Sequence, residues 1–192
     1  PTCDIFVGWS SATLEVIPIA HERGIPVVLE RGSSHILHQT DLLKKLHARH
    51  GRKFKHTSPR VIERELAEYE AADAIAVPSS YAADTFRSHG VPKEKIRVNP
   101  YGVDLEEFFP AKNNNAVKPK ILFVGQVGIR KGVPELLAAF AGLSIDAQLR
   151  LIGPLEPAYK EPRQSRVDFL GPIPMSALPD QYRSARVFCL PS

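Results

Sequence analysis

The sequence predicts an α/β protein built from two units, each with a parallel sheet, and three observations lead to this fold class. Short β-branched or aromatic segments alternate with amphipathic helical segments along the chain. Most strand candidates are continuous apolar runs, as expected for strands that helices cover on both faces of a parallel sheet. A polar segment with little predicted structure, residues 104–119, divides the chain. The alternation favours right-handed strand–helix–strand connections within each unit.

Composition places the chain among ordinary globular proteins. It has 192 residues, 43% of them hydrophobic, and 25 Lys and Arg against 21 Asp and Glu, a net charge of +4. These fractions exclude the collagen-like, disordered and disulfide-scaffold classes. No apolar run approaches the roughly 18–20 residues of a membrane-spanning helix. The mild charge, without an RNA-recognition or helix-turn-helix signature, predicts no nucleic acid partner.

The first unit, residues 1–103, has four predicted strands and three predicted helices. The strands are Asp4–Gly8, Pro26–Glu30, Ala74–Pro78 and Lys95–Asn99, and the helices are Ala12–Arg23, Val61–Ala72 and Tyr81–His89. In the first helix Val16, Ile19 and Ala20 follow an i, i+3, i+4 pattern. Ser80 is the expected N-cap of the third helix, and Gly90 ends it.

The second unit, residues 120–192, follows the predicted linker 104–119. Its strands are Lys120–Gly125, Gln148–Gly153, Val167–Gly171 and Val187–Pro191. A helix follows the first of these strands, because Val133, Leu136, Leu137 and Phe140 form an i, i+3, i+4, i+7 stripe.

The ends of the chain and its cysteines carry two further expectations. Each unit has few strands for a complete doubly wound sheet, and the chain begins at Pro1 rather than Met, so we expect both domains to be incomplete here. Cys3 and Cys189 lie in strand-like apolar runs. This placement predicts two buried thiols and a reducing, cytoplasmic compartment.

Residues 125–132 carry the strongest indication of chemistry. Gly125 ends a buried strand, Gly128 lies in the following loop, and Arg130 and Lys131 precede the amphipathic helix. The N–H groups and macrodipole of a helix N-terminus favour an anion, whereas two cations there oppose the dipole by up to about 1 kcal/mol. A bound phosphate would remove this conflict. The alternative is that both cations point into water. Neither a Walker A loop nor the G-x-G-x-x-G spacing is present.

Residues 123–140 resemble the Gly-Arg-x-x-x-x-Lys-Gly segment of family-4 retaining glycosyltransferases, which have the GT-B fold of two Rossmann-like domains. Four more stretches agree in order. They are residues 74–80, similar to the last strand and turn of the acceptor domain; 98–110, similar to the interdomain segment; and 167–173 and 185–192, similar to donor-domain strands. The resemblance covers almost the whole chain.

The resemblance implies a nucleotide-diphosphate sugar as donor substrate, an acceptor hydroxyl on a carbohydrate, lipid or small molecule, and no essential metal or cofactor. Lys131 matches the family lysine that holds the donor diphosphate. Gln126 stands where the family has arginine, and Arg130 is the candidate to replace that guanidinium. The family's glutamate motif would begin after Ser192, so we expect this chain alone to be inactive.

A second candidate site follows a strand end in the first unit. Arg31, Ser33 and Ser34 are predicted to line the acceptor cleft, and His35 is predicted to be a catalytic residue that orients a sugar hydroxyl. Ligands of α/β sheets bind at this edge. The alternative is that Ser33 or Ser34 caps a helix and His35 is an ordinary residue of its first turn.

Basic residues and histidines between positions 35 and 60 suggest two further partners. Residues 44–60 contain seven lysines and arginines and no acid, which is typical of a solvated face and also of contact with an anionic membrane surface. The pairs His35/His38 and His47/His50 have i, i+3 spacing, but no cysteine or carboxylate completes a zinc ligand set nearby, so no metal is predicted.

Two other functions compete with sugar transfer. Residues 8–12 imitate the G-x-S-x-G turn of serine hydrolases with Ser10 as nucleophile, but the last histidine, His89, leaves a Ser–acid–His order hard to place. A non-catalytic nucleotide-binding remnant is the second alternative, because the family's catalytic set is incomplete in this chain.

Overall fold

A computed structural model describes residues 3–54, 57–111, 118–157 and 159–192 of the chain. They form two compact units, Pro1–Gly102 and Val103–Ser192, and each contains a four-stranded sheet in which every strand pair is parallel. This arrangement confirms the predicted fold class of two parallel α/β units.

In the first unit the strands follow one another across the sheet in chain order. The elements are β1 (Phe6–Trp9), α1 (Val16–Glu22), β2 (Val27–Glu30), α2 (Ile36–Arg49), α3 (Pro59–Ala71), β3 (Ala74–Val77), α4 (Ser80–Ser88), a 3-10 turn (Lys93–Lys95) and β4 (Ile96–Val98). The sheet order is β1-β2-β3-β4. Leu29 on β2 faces Ile75 on β3, and both side chains are fully buried in a core that also contains Ile17 and Phe86.

In the second unit the strand order reverses. The elements are β5 (Lys120–Val124), a 3-10 turn (Ile129–Lys131), α5 (Val133–Ala141), β6 (Gln148–Ile152), β7 (Val167–Gly171), a second 3-10 turn (Met175–Ala177), α6 (Leu178–Ser184) and β8 (Val187–Phe188). The order is β7-β6-β5-β8, so the chain runs outward from β5 in one direction and then returns to its other side. Phe123, Leu149 and Phe140 are buried in the core of this unit.

All eight predicted strands are found at their positions, with ends that differ by up to three residues. Two helices of the described residues were missed. In α2, which the structure describes in full, Ile36 is the sole buried residue, and Gln39 and Thr40 interrupt its apolar stripe at i+3 and i+4. The other, α6, has seven residues and begins with a proline in its first turn.

Two local predictions are wrong. The N-cap of α4 is Ser79 rather than Ser80, because the Ser79 hydroxyl accepts a hydrogen bond from the N–H of Ala82 at 3.1 Å. Cys3 is exposed, since β1 begins at Phe6 and leaves Cys3 outside the sheet, while Cys189 is half-buried. The argument from two buried thiols to a reducing compartment therefore has no basis in the structure.

The boundary between the units falls between Gly102 and Val103. In the predicted linker 104–119, Phe108 packs on Tyr182 with ring centroids 5.7 Å apart, and the Phe109 ring lies 4.7 Å from the Arg183 guanidinium. These residues thus pack on the second unit. Residues 112–117 of the predicted linker lie outside the described part of the chain.

Candidate functional site

The loop at residues 125–132 lies at the point where the strand order of the second sheet reverses. It follows the carboxyl end of β5, and residues 189–192 follow the carboxyl end of neighbouring β8. The two segments touch, because the Lys131 Nζ donates to the Ser192 hydroxyl at 3.3 Å. Ligands of open α/β sheets bind in the crevice beside the carboxyl ends of strands at such a reversal. The topology therefore places the loop at the edge of the sheet where a ligand is expected to bind.

Glycine is favoured in this loop by close contacts, with backbone at Gly132 and with a side chain at Gly128. Gly132 has a φ of +67°, and a Cβ added there would lie 2.2 Å from the carbonyl oxygen of Pro191. At Gly128 an added Cβ would lie 2.1 Å from a carboxylate oxygen of Glu156. The sequence predicted both glycines as loop residues but gave no indication of what they touch. Gly125 also has a positive φ, +155°, at the end of its strand.

The cations of the loop remain accessible at the start of α5. Arg130 is exposed, and Lys131 and Gln126 are half-buried. Arg130 and Lys131 belong to the 3-10 turn that leads into the nine-residue helix α5, so their positive charges add to the positive end of the helix dipole. An anion at this point would be attracted by the side chains and by the dipole together.

Glu156 is a charged residue of this site that sequence reasoning missed. Its Oε2 accepts a hydrogen bond from the backbone N–H of Arg130 at 3.3 Å, and its own N–H donates to the carbonyl of Val127 at 2.9 Å. The carboxylate therefore lies against the loop that is predicted to hold a diphosphate. A glutamate three residues after the predicted strand end at Gly153 was the available signal, because that edge of the sheet carries ligands.

The candidate residues of the first unit follow β2, but one of them, Arg31, forms hydrogen bonds within the protein. The Arg31 side chain is 13% exposed and donates from Nε to the Ser34 carbonyl, from NH1 to Glu65 and from NH2 to the Gln39 amide oxygen. Ser33 and Ser34 are half-buried. Arg31 is thus held by three internal hydrogen bonds.

His35 is the N-cap of α2 and lies in the core, 2% exposed. Its Nδ1 accepts from the N–H of Leu37, and its ring stacks on His89 with centroids 4.3 Å apart. Burial, with a smaller contribution from His89, lowers the pKa of His35 to about 4. The cap is His35 itself, so the alternative that Ser33 or Ser34 caps this helix is wrong. In this structure the imidazole is neutral near pH 7 and does not line an open cleft.

Two buried glutamates of α3 were also missed. Glu65 and Glu68 are 2% and 0% exposed, and their carboxyl groups bind the turn after β1. Their signal was present in the sequence, since both lie among the apolar residues of the α3 stripe, where an acid must find internal partners.

The serine hydrolase alternative finds no support at Ser10. Within the described residues, the hydrogen bonds of the following turn lead from Ser11 and Thr13 to the carboxyl groups of α3 rather than to a histidine. Among the described residues, the strand-to-helix turn is thus held by carboxyl groups of α3 and not by a Ser–His pair.

The basic run 44–60 lies along α2 and the segment after it, with Lys55 outside the described residues. Lys45 pairs with Asp41 at 2.6 Å, so part of the charge is neutralised on the same helix. The described residues contain no group of three His, Cys, Asp or Glu side chains arranged to hold a metal ion. They also contain no helix with the length and apolar character that crossing a membrane requires.

Comparison with known families matches both units. Residues 3–107 match the family described as Glycosyltransferase Family 4, and residues 104–192 match the one described as Glycosyl transferases group 1. The chain is 29% identical over 158 residues to the D-inositol 3-phosphate glycosyltransferase of Xylanimonas cellulosilytica, and 30% identical over 150 residues to that of Pseudarthrobacter chlorophenolicus. Each alignment covers 69% of this chain but 38% and 33% of those proteins, so the chain spans well under half of these relatives.

Solved structures resemble the chain along almost its whole length. Sucrose-phosphate synthase of Thermosynechococcus elongatus gives a TM-score of 0.69 at 21% identity, covering 98% of this chain and 50% of that one. Anabaena HepE in complex with UDP-glucose gives 0.67 at 14% identity, covering 97% and 52%. These likenesses concern the fold, and they confirm the GT-B type of two-unit α/β architecture.

Proposed function

Because the chain belongs to glycosyltransferase family 4, we propose that the whole protein moves a sugar from a nucleotide-diphosphate sugar to an acceptor hydroxyl with retention at the anomeric carbon. The observation that carries the donor assignment is the position of Arg130 and Lys131. Two accessible cations lie beside the start of α5, in the crevice where the strand order of the second sheet reverses. A diphosphate has the charge that this crevice attracts.

The same cations account for the chemical step. As the bond between the anomeric carbon and the donor phosphate oxygen breaks and the acceptor oxygen bonds to that carbon, negative charge grows on the leaving nucleoside diphosphate, which takes up the proton of the acceptor hydroxyl. Lys131 and Arg130 stabilise that charge by electrostatics, and the helix dipole acts in the same direction. Retention follows from the family resemblance alone, and nuclear magnetic resonance of the product anomer tests it.

The acceptor is assigned to the edge of the first sheet that carries Ser33 and Ser34. Both follow β2 at the carboxyl end of a parallel sheet, and both are partly accessible. The acceptor class and a contact of the basic run 44–60 with anionic lipid stay predictions, as does a cytoplasmic location.

The relatives suggest which compounds to test first. HepE was solved with UDP-glucose, and the curated relatives are named for D-inositol 3-phosphate. A panel of UDP, GDP and ADP sugars, each with inositol phosphates, simple sugars and lipid-linked sugars, would identify the donor and acceptor pair. Product analysis by mass spectrometry gives the linkage partners.

The decisive experiment is Lys131→Ala in the full-length protein. We expect turnover to fall about a hundredfold or more, because one preorganised charge at a developing anion contributes that much. Lys118→Ala is the matched control, since Lys118 precedes the amino end of β5, at the opposite edge of the same sheet, and pairs with Asp146. Equal turnover of the two variants would refute the donor assignment. A wild-type protein that binds UDP but transfers no sugar would support the non-catalytic remnant.

A further inference from the structure

We propose that Glu65 is a positioning residue of the acceptor side, which fixes the turn after β1 and the segment after β2 in one common geometry. This inference rests on the proposed function, because it needs an acceptor bound at this edge of the first sheet. Glu65 itself is buried and touches no ligand in this role. It acts through Ser11 and Arg31.

Glu65 joins three different segments of the first unit. Its Oε1 accepts from the Ser11 hydroxyl at 2.5 Å and from Arg31 NH1 at 3.3 Å, and its Oε2 accepts from the Tyr69 hydroxyl at 2.6 Å. Burial raises the pKa of Tyr69, so its phenol keeps the proton that it donates. One carboxyl group thus connects the β1 turn, the β2 segment and α3.

Glu68, one helical turn further along α3, holds the backbone of the β1 turn. Its Oε2 accepts from the N–H of Ser11 at 2.6 Å, and its Oε1 accepts from the N–H groups of Thr13 at 2.8 Å and Leu14 at 3.0 Å. Ser11 has a φ of +74°, a strained value for a residue with a side chain. Such backbone persists where surrounding contacts over-determine it, and it concentrates at functional sites.

Arg31 connects Glu65 to the segment after β2, where the acceptor is proposed to bind. Its three hydrogen bonds reach Glu65, Ser34 and Gln39, so the guanidinium spans the loop after β2 and the first turns of α2. Only 13% of the Arg31 side chain is exposed, so it supports the loop after β2 from inside and is not an open anion site. Ser33 and Ser34 lie within the loop that Arg31 supports.

The consequence is a specific effect on the acceptor. A displacement of about 1 Å in a positioning group can lower a rate a hundredfold, and it also weakens the contacts that bind the acceptor, which raises the acceptor KM. Loss of Glu65 would allow the two segments to move separately. The donor crevice belongs to the second unit, so donor binding would not change.

The test compares Glu65→Gln with Glu63→Gln in the full-length protein, using the nucleotide sugar and acceptor that the panel identifies. Glu63 is exposed on the same helix, and its substitution removes the same charge. For Glu65→Gln we expect the acceptor KM to rise about tenfold, the donor KM to stay within about twofold, and amide exchange to quicken over residues 11–14 and 31–34. Glu63→Gln should match the wild type.

A second variant separates positioning from stability. Glu65→Gln alone leaves the Arg31 charge buried without its partner, whereas Arg31→Gln with Glu65→Gln removes both charges, so the double variant should regain much of the lost stability. On our proposal its acceptor KM stays raised. An acceptor KM that recovers together with stability, or that never rises, would overturn the proposal. Should Glu65→Gln fail to fold, Ser11→Ala provides the same reading, with an expected rise of about threefold.

The two proposals fail in different ways. A wild-type protein without transferase activity on the whole panel would refute the proposed function. An active wild type whose acceptor KM is unaffected by the Glu65 and Ser11 variants would refute the positioning role alone.

Discussion

The carboxyl edges of the two sheets are built in opposite ways. In the first unit, buried carboxyl groups of α3 hold the turn after β1 by hydrogen bonds to its backbone and side chains. In the second unit, the loop after β5 is shaped by glycines in close contact with the Pro191 backbone and the Glu156 side chain, and its cations remain accessible. One edge neutralises its charges internally, whereas the other keeps positive charge available.

Under the proposed function, this difference assigns a separate task to each edge. A turn whose polar groups are satisfied inside the protein offers fixed geometry and little net charge, which suits an acceptor hydroxyl. A glycine-lined loop with accessible cations offers charge and close backbone approach, which suits a diphosphate. The experiments below, from the largest expected effect to the smallest, test both halves of the comparison.

Gly132→Ala would test whether the loop after β5 needs glycine for its conformation and close contacts. The added Cβ would lie 2.2 Å from the Pro191 carbonyl oxygen, at a φ of +67°. Strain and overpacking together should lower the free energy of unfolding by about 4 kcal/mol, measured by urea denaturation. Gly142→Ala is the control, because its φ is −80° and the nearest contact is 3.6 Å, so a change within about 0.5 kcal/mol is expected. Equal losses in both variants would contradict the geometric argument.

Lowering the pH would test whether the first unit is stabilised by its buried, neutral His35. The folded-state pKa of His35 is about 4, below its ordinary value of 6.5, chiefly because the ring is buried. The unfolded chain therefore binds the proton first. Stability is fully present above about pH 6.5 and falls, by up to about 3 kcal/mol, as the pH decreases towards 4.

The variant His35→Asn isolates this contribution. Asparagine can still accept the N-cap hydrogen bond, but it does not titrate. Urea denaturation at several pH values should give a flatter dependence between pH 6.5 and 4 for the variant than for the wild type. Identical slopes would show that His35 is not the group responsible.

Glu156→Gln would test the electrostatics of the loop after β5, and it has the smallest expected effect of these experiments. The carboxylate accepts from the N–H of Arg130 beside the predicted diphosphate, so its charge opposes the ligand. We expect UDP to bind the full-length protein about threefold more tightly after the substitution, measured by titration calorimetry. Exposed Glu161→Gln serves as the control. Weaker UDP binding by Glu156→Gln would instead make Glu156 a donor ligand.

How much the sequence predicted differed between elements and contacts. The strands were found because parallel strands are continuous apolar runs, a signal contained in five or six adjacent residues. The helix α2 was missed, since it buries Ile36 and little else. The loop 125–132 was found as a candidate site from its glycines and cations, whereas Glu156, which lies against Gly128, comes from a different strand end.

By itself, the sequence determined the two-unit α/β plan, the position of every strand and the cationic loop before α5. These features depend on the local pattern of apolar and polar residues, because the hydrophobic effect favours the secondary structure that buries the apolar residues together. The tertiary structure alone decided that the second sheet reverses its strand order beside that loop and that Arg31 is bonded inside the protein. It also decided that two acids of α3 hold a turn more than fifty residues away in the chain. The physical reason is that a buried polar group must find a partner in space, and chain order does not specify which one.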